Sequence, residues 1–224
     1  MPQPTRLQAG CTPTHLTHHG PSEPSPNDFD PVTWMLIPGG TCLYGDAQRP
    51  RPVPDLLVAQ VPLTVAGTGM PATELTHDQA TRAAEAVGGR LPRAVEWEWI
   101  AAGPHRRRFP WGHEPWHPGL ALLTNPTTST DPGAGPNQSG TDQQTPTGPL
   151  PAGRFPQGAT PEGLLDLAGN VWEWTCTPVM GEGSIIRGGS YASPPLYAQT
   201  TFINAAPNNL RSPGIGVRPV RPAI

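Results

Sequence analysis

Lysine is absent. All 14 basic residues of this 224-residue chain are arginine, and against 17 acidic residues they leave a formal net charge of -3. Such a balance gives no general attraction to polyanions, so neither nucleic acid nor an anionic membrane is expected as a partner. Cysteine is nearly as scarce: Cys11, Cys42 and Cys176 are odd in number, far apart and include no CxxC pair. That excludes a disulfide framework and a zinc knuckle, and it points to a reducing, cytoplasmic compartment. No apolar run reaches membrane-spanning length, and MPQPTRLQAGCTPTHLTHHG at the start lacks the apolar core of a secretory signal. Hydrophobic residues make up only 35% of the chain, beside 33 Pro and 26 Gly, so regular secondary structure must be sparse and loops abundant.

What is present reads as one domain with a tail, since this length supports one sizeable core. Residues 1–30 are rich in Pro, Thr, Ser and His and poor in aliphatics, so burial there cannot offset the entropy of ordering; a mobile tail is expected, with the folded domain at residues 31–224. His15, His18 and His19 in that tail have no neighbouring carboxylate or thiol and read as solvated. From Thr33, WMLIPGG followed by TCLYGD signals strand, turn and strand. Leu56–Val65 is a second strand region that Pro62 assigns to an edge or a bulge. Thr76 and Gln79 form a capping box for a helix that ends at Gly88–Gly89, and a second helix spans Ala94–Ala102, stopped by Gly103. Gly112–Phe155 is too long for an ordinary connector and is either functional or disordered. Strand-like SIIRGGSY and GIGVRPV close the chain, giving an α+β class with small antiparallel sheets, two short helices and much loop.

Several side chains invite a chemical role. Arg106–Arg108 reads as a solvated charge run. His113 and His117 flank Glu114, but in a Pro- and Gly-rich loop the four-residue spacing puts them on no common face; Trp111 and Trp116 read as anchors for that loop. Arg187, Gly188, Gly189 and Ser190 suggest a structural clamp, because a buried guanidinium needs a carboxylate or several carbonyls and the glycines let backbone come close. Beyond Ser190 the chain mixes aromatics with adaptable amides in the manner of a paratope. Its expected ligand-contacting residues are Tyr191, Ser193, Tyr197, Gln199, Thr201, Phe202, Asn204, Asn208, Asn209 and Arg211.

Four blocks in order, MLIPGGTCLYGD, RLPRAVEWEWIAA with RFPWG, PAGRFPQGATPEGLLDLAGNVWEW, and IIRGGSY with GIGVRP, resemble the formylglycine-generating enzyme or sulfatase-modifying factor family over roughly residues 33–220. The resemblance implies a variant of the C-type lectin-like fold. The family's LPTEAEWE reads LPRAVEWE here, so Arg93 replaces the threonine cap of the second helix and weaker capping is expected. The family's enzymes keep a cysteine pair after RGGS as copper ligands and redox partners, and this chain has YASPPLYAQTTF there. Neither serine nor tyrosine supplies a thiolate's soft ligation or its redox chemistry, so copper-dependent formylglycine formation is not expected. The related iron-dependent sulfoxide synthases take histidine ligands partly from an extra helical domain with no counterpart here, so iron is not expected either.

The resemblance also implies a structural calcium, with Asn170 and Glu173 of GNVWEW as ligands and Asn125 and Asp142 as a second candidate pair. Variable proteins of diversity-generating retroelements look similar too, with RGGS opening the variable region and Ile215–Arg218 resembling its end. Residue types unreachable by adenine mutagenesis should be missing from that region, and between Tyr191 and Gly214 only Gln199 breaks the rule. Three readings stay open: a non-catalytic module binding an unknown protein or small-molecule ligand, a metal-dependent oxidoreductase with a non-standard active site, built for instance from His113, His117 or Cys176 near Arg187, or a structural subunit whose Pro/Thr-rich tail and loop mediate assembly.

Overall fold

A computed structural model describes residues 24–124 and 147–223. Along these run strands β1 (Trp34–Ile37), β2 (Gly40–Tyr44), β3 (Arg49–Val53) and β4 (Leu56–Ala59). Helices α1 (His77–Ala86) and α2 (Ala94–Ala102) come next, and then β5 (Trp172–Val179), β6 (Gly183–Arg187), β7 (Asn204–Pro207), β8 (Ile215–Gly216) and β9 (Val220–Pro222). The strands form a ribbon of β2 and β3, a sheet in the order β1-β4-β9, and a sheet in the order β7-β6-β5-β8. All pairings are antiparallel except β5 with β8. The expected α+β class is what forms, and no helix among the described residues is long and apolar enough to cross a membrane.

Sequence and structure part in three places. β4 is the central strand of its sheet, because it ends at Ala59, before Pro62, and so escapes the constraint that suggested an edge. β3 carries Pro50 and Pro52 yet pairs with β2 in register, which a two-stranded ribbon tolerates because the missing N–H groups face no third strand. The domain also begins earlier than residue 31. Ser25 caps a 3-10 turn at Pro26–Asp28, Phe29 packs on the core, and Asp30 accepts hydrogen bonds from Thr64 Oγ1 at 2.8 Å and the Gly67 N–H at 2.7 Å. These contacts supply the compensation that composition alone did not reveal. His15, His18, His19, Asn125, Asp142 and much of the Gly112–Phe155 stretch lie outside the described residues.

Both helices have the expected bounds. In α1 the Thr76 hydroxyl accepts from the Gln79 N–H and the Gln79 side chain accepts from the Thr76 N–H, closing the capping box. In α2 Arg93 offers no side-chain cap, as expected, but the loss is repaired from a distance: Thr177 Oγ1 on β5 accepts the Ala94 N–H at 2.8 Å. Thr177→Val keeps the shape and removes this acceptor, and is expected to cost about 1 kcal/mol in urea unfolding, the usual worth of an N-cap. Every residue of α2 except Val95 is buried, so the helix runs through the interior and not along its surface. On one side lie Ile37, Leu56, Val58 and Leu164; Trp172, Trp174 and Ile186 build a second cluster with the alanines of α1.

Candidate functional site

Three consecutive side chains of α2 leave it in different directions, because successive residues are about 100° apart on a helix. Glu96, buried, receives the guanidinium of Arg90 at 2.8 and 2.9 Å and the N–H of Arg93 at 2.8 Å. Trp97 donates its indole N–H to Glu173 at 2.6 Å, and Glu173 is clasped by Arg218 at 2.8 Å. Glu98 pairs with Arg187 at 2.5 Å and accepts the Gly45 N–H at 2.7 Å. Glu98, Glu173, Arg187 and Arg218 are all essentially fully buried.

Arg187 does more than balance a charge. Its Nη1 and Nη2 groups also reach the carbonyls of Thr200 at 3.1 Å, Thr201 at 3.2 Å and Phe202 at 2.8 Å, its Nε–H is buried without a partner, and its Cζ lies 5.3 Å from the centroid of the Trp97 ring. Gly188 and Gly189 have φ of 97° and 75°, and a Cβ on Gly188 would stand 2.9 Å from the Leu167 carbonyl. The strand therefore turns sharply where it meets the Ser190–Ser193 turn, in which the two serine hydroxyls lie 3.3 Å apart. Thr124 secures that turn by donating to the carbonyls of Ser193 and Tyr191. Thr200 ties the far side, its hydroxyl donating to the Arg107 carbonyl at 2.5 Å and its N–H to the Arg108 carbonyl at 2.9 Å.

The pinned segment presents an apolar ledge. Tyr197 and Phe202 lie 4.7 Å apart between ring centroids, at 6.3 and 6.4 Å from Trp172 beneath them. Along the same segment Leu196, Tyr197, Ile203 and Leu210 are exposed to 55%, 37%, 43% and 39%. Of the ten expected contact residues, Tyr197, Asn204, Asn209 and Arg211 are exposed, and Tyr191, Gln199, Thr201, Phe202 and Asn208 are half-buried. Ser193 is corrected: it is buried, with its hydroxyl held by Ser190, and does not reach the surface. The edge strand β7 is blunted against pairing with another strand, since Asn204 Oδ1 takes the Ala205 N–H and Pro207 has none.

The calcium expectation at Asn170 and Glu173 meets a different geometry. Asn170, at φ 61°, accepts from the Leu150 N–H and donates back to its carbonyl, whereas Glu173 is committed to Arg218 and Trp97. The two side chains thus serve separate protein partners. Cys42 and Cys176 are unpaired, and burial pushes the Cys42 thiol up to about 11, leaving almost no thiolate at neutral pH. Trp111 and Trp116 anchor their loop by donating to the carbonyls of Glu114 and Ala121. His113 and His117 are exposed there, and among the described residues no three His, Cys, Asp or Glu side chains come together as a ligand set.

Sequence reasoning missed Arg107 and undervalued Arg218. Arg107 is buried, its guanidinium bidentate to Glu162 at 3.0 and 3.0 Å. Arg218 spends its other donors on the carbonyls of Ala59, Gln60 and Leu165. The available signal was an arginine inside the apolar GIGVRPV and carboxylates inside the apolar VEWEWI, each of which demands a partner once buried. Burial alone would raise the Glu162 carboxyl, but the Arg107 pair outweighs it and holds the group below the ordinary 4.5. A lowered carboxylate stabilises the fold above its unfolded value and loses that contribution as pH falls through the folded one. The stability gap between wild type and Glu162→Gln is thus expected to narrow in thermal melts taken from pH 7 to pH 3.

The comparisons agree on a family. The profile of the sulfatase-modifying factor enzyme 1-like domain matches residues 59–223. The formylglycine-generating enzyme of Mycobacterium tuberculosis is 37% identical over 109 residues, 49% of this chain and 34% of that protein. The hercynine oxygenase of the same organism is 31% identical over 161 residues, 60% of this chain and 32% of that protein. This chain thus spans about a third of the length of the curated relatives it matches. Among solved structures, Treponema denticola variable protein 1 superposes with a TM-score of 0.61 at 15% identity, covering 84% of this chain and 94% of that one. The fold is therefore the expected C-type lectin-like one.

Proposed function

The chain belongs to the sulfatase-modifying factor enzyme 1-like domain family, and on that premise we propose that it is a non-catalytic binding domain whose contact surface is the segment Tyr191–Arg211. One observation carries the reading: in the segment where the family's enzymes keep their cysteines, this chain has a buried pair of serine hydroxyls and, beside it, the exposed Tyr197 packed on a half-buried Phe202 whose carbonyl is fixed by Arg187. A rigid backbone presenting Leu196, Tyr197, Ile203 and Leu210 lowers the entropy lost on binding, which is what a recognition surface needs. The occupant is a protein or a small molecule. Similarity in fold to Treponema denticola variable protein 1 supports a display role, in which Tyr191–Pro213 is the diversified stretch.

The alternative, a metal-dependent oxidoreductase, is favoured by the identity to formylglycine-generating enzyme. Protein purified from copper- and iron-supplemented culture separates the two. Binding-domain function predicts neither metal at stoichiometric amounts and no formylglycine on a cysteine peptide substrate, and a positive result in either assay would overturn it. The display version fails if the gene's surroundings hold no reverse transcriptase and no near-copy of the Tyr191–Pro213 coding segment.

A further inference from the structure

A second surface lies elsewhere, along the free edge of the sheet in the order β1-β4-β9. The Gln60 N–H donates to the Thr33 carbonyl at 2.9 Å, and β1 pairs with β4 in the register Met35 to Val58 and Ile37 to Leu56. Backbone groups alternate sides along an antiparallel pair, so those of Thr33, Met35 and Ile37 face β4 and those of Trp34 and Leu36 face outward. Among the described residues, none bonds to the backbone of Trp34 or Leu36. No part of this edge belongs to the Tyr191–Arg211 segment, so a ligand here is independent of the function proposed for that surface.

Other edges of the fold are guarded. β9 is covered by Arg90, which exchanges N–H and carbonyl with Val220 at 2.8 and 2.9 Å, and β7 is blunted by Asn204 and Pro207. In β1 the run WMLI carries no charge, no proline and no bulge, and Leu36 is 58% exposed. An edge left in this state is a template for one more strand.

A concavity of about 300 Å³ opens where β1 ends, lined by Ile37, Pro38 and Gly39 and by Trp99, Ile100 and Gly103 at the end of α2. Its polar neighbours are committed to the protein. Trp99 donates its indole N–H to the Pro38 carbonyl at 2.9 Å, and Glu162, which also lines the space, is neutralised by Arg107. Nothing there selects a charge, so the space suits an uncharged apolar group. Side chains on a strand added to β1 would alternate between the two faces of the sheet, every second one falling on the side where Met35 and Ile37 meet the core. One of these would stand beside Ile37, at the mouth of the concavity. An open edge that supplies main-chain bonds, next to a pocket that selects a side chain, is the arrangement by which sheets capture extended peptides.

We propose that β1 is a docking edge for an extended peptide of a partner protein, which adds as a further strand and places one bulky uncharged apolar side chain in the concavity beside Ile37. The first test is amide hydrogen exchange of the intact protein by NMR. Fast exchange is expected at Trp34 and Leu36 and slow exchange at Met35 and Ile37, whose N–H groups face β4. Protection of Trp34 and Leu36 in the free protein would mean that the chain's own first 23 residues or a second copy occupies the edge, and would overturn the proposal.

The probe is the blocked peptide acetyl-Thr-Phe-Thr-Phe-Thr-amide, built from strand-favouring residues. It is expected to bind saturably, to slow exchange at Leu36 and to shift the amides of Gly39, Ile100 and Gly103. Replacing both phenylalanines by serine is expected to weaken binding about tenfold or more, the worth of burying one such side chain. No saturable binding, equal affinity for the two peptides, or shifts confined to Tyr191–Arg211 would each sink the assignment. Leu36→Pro removes only an outward N–H, which an edge strand tolerates, and is expected to keep the fold by circular dichroism while weakening the phenylalanine peptide about tenfold. A folded variant that bound as tightly as wild type would also overturn it. The exchange pattern and the comparison of peptides on the wild-type protein stand even if that variant does not fold.

Discussion

Arg187→Met is expected to lower the unfolding free energy by about 3–5 kcal/mol, enough to remove most of the stability of a domain this size. The magnitude comes from the groups that the substitution strands. Glu98 would keep its charge in a fully buried position with only the Gly45 N–H as partner, and the carbonyls of Thr200, Thr201 and Phe202 would lose their shared donor. Urea unfolding measures the loss. The double variant Arg187→Met, Glu98→Leu removes the stranded charge and is expected to regain a large part of it, because a buried ion pair contributes little relative to apolar residues of similar volume. The two variants also divide structure from function. If the Tyr191–Arg211 surface works by being held rigid, the double variant folds yet binds its ligand less well, since the Thr200–Phe202 carbonyls lose the guanidinium that fastens them to the core.

The helices were legible because their signals are local. Thr76 with Gln79 and the glycines at the helix ends act within a few residues, and both helices run where those signals place them. What could not be read depends on distant partners. β4 is central only because β9, at the other end of the chain, covers its second edge. β7 pairs with β6 through Asn204–Pro207, a stretch without alternation whose neighbours are turn formers. The need for a partner was visible at Arg187, but its identity was not: Glu98 is 89 residues away. Arg107 was misjudged for a related reason. Three arginines in a row look like a solvated face, yet Arg106 at φ 50° turns the chain so that Arg107 points inward to Glu162 while Arg108 stays outside over Phe109. A charge run says how many cations there are, not which way the backbone turns between them.

The same dependence on distant backbone governs the motif that most clearly carries the family likeness. Gly169→Ala is expected to destabilise by about 3 kcal/mol or more, through two effects that can be measured apart. Gly169 has φ 75°, where an alanine costs about 1 kcal/mol in strain. Its Cβ would also collide with the Leu122 carbonyl and reach within 3.0 Å of the Leu123 side chain. That carbonyl cannot retreat freely, because it accepts the N–H of Asn170 at 2.9 Å, and Asn170 is itself tied by two hydrogen bonds to Leu150. Gly169 in turn donates to the Gly188 carbonyl at 2.8 Å, so any shift is passed to the turn that carries the Ser190 segment. Gly67→Ala is the matching control: its φ is 73° and a Cβ there meets nothing within 4 Å. Strain alone predicts equal losses for the two variants in urea unfolding. The collision predicts that Gly169→Ala loses at least about 2 kcal/mol more than Gly67→Ala, the cost of displacing a buried, hydrogen-bonded carbonyl.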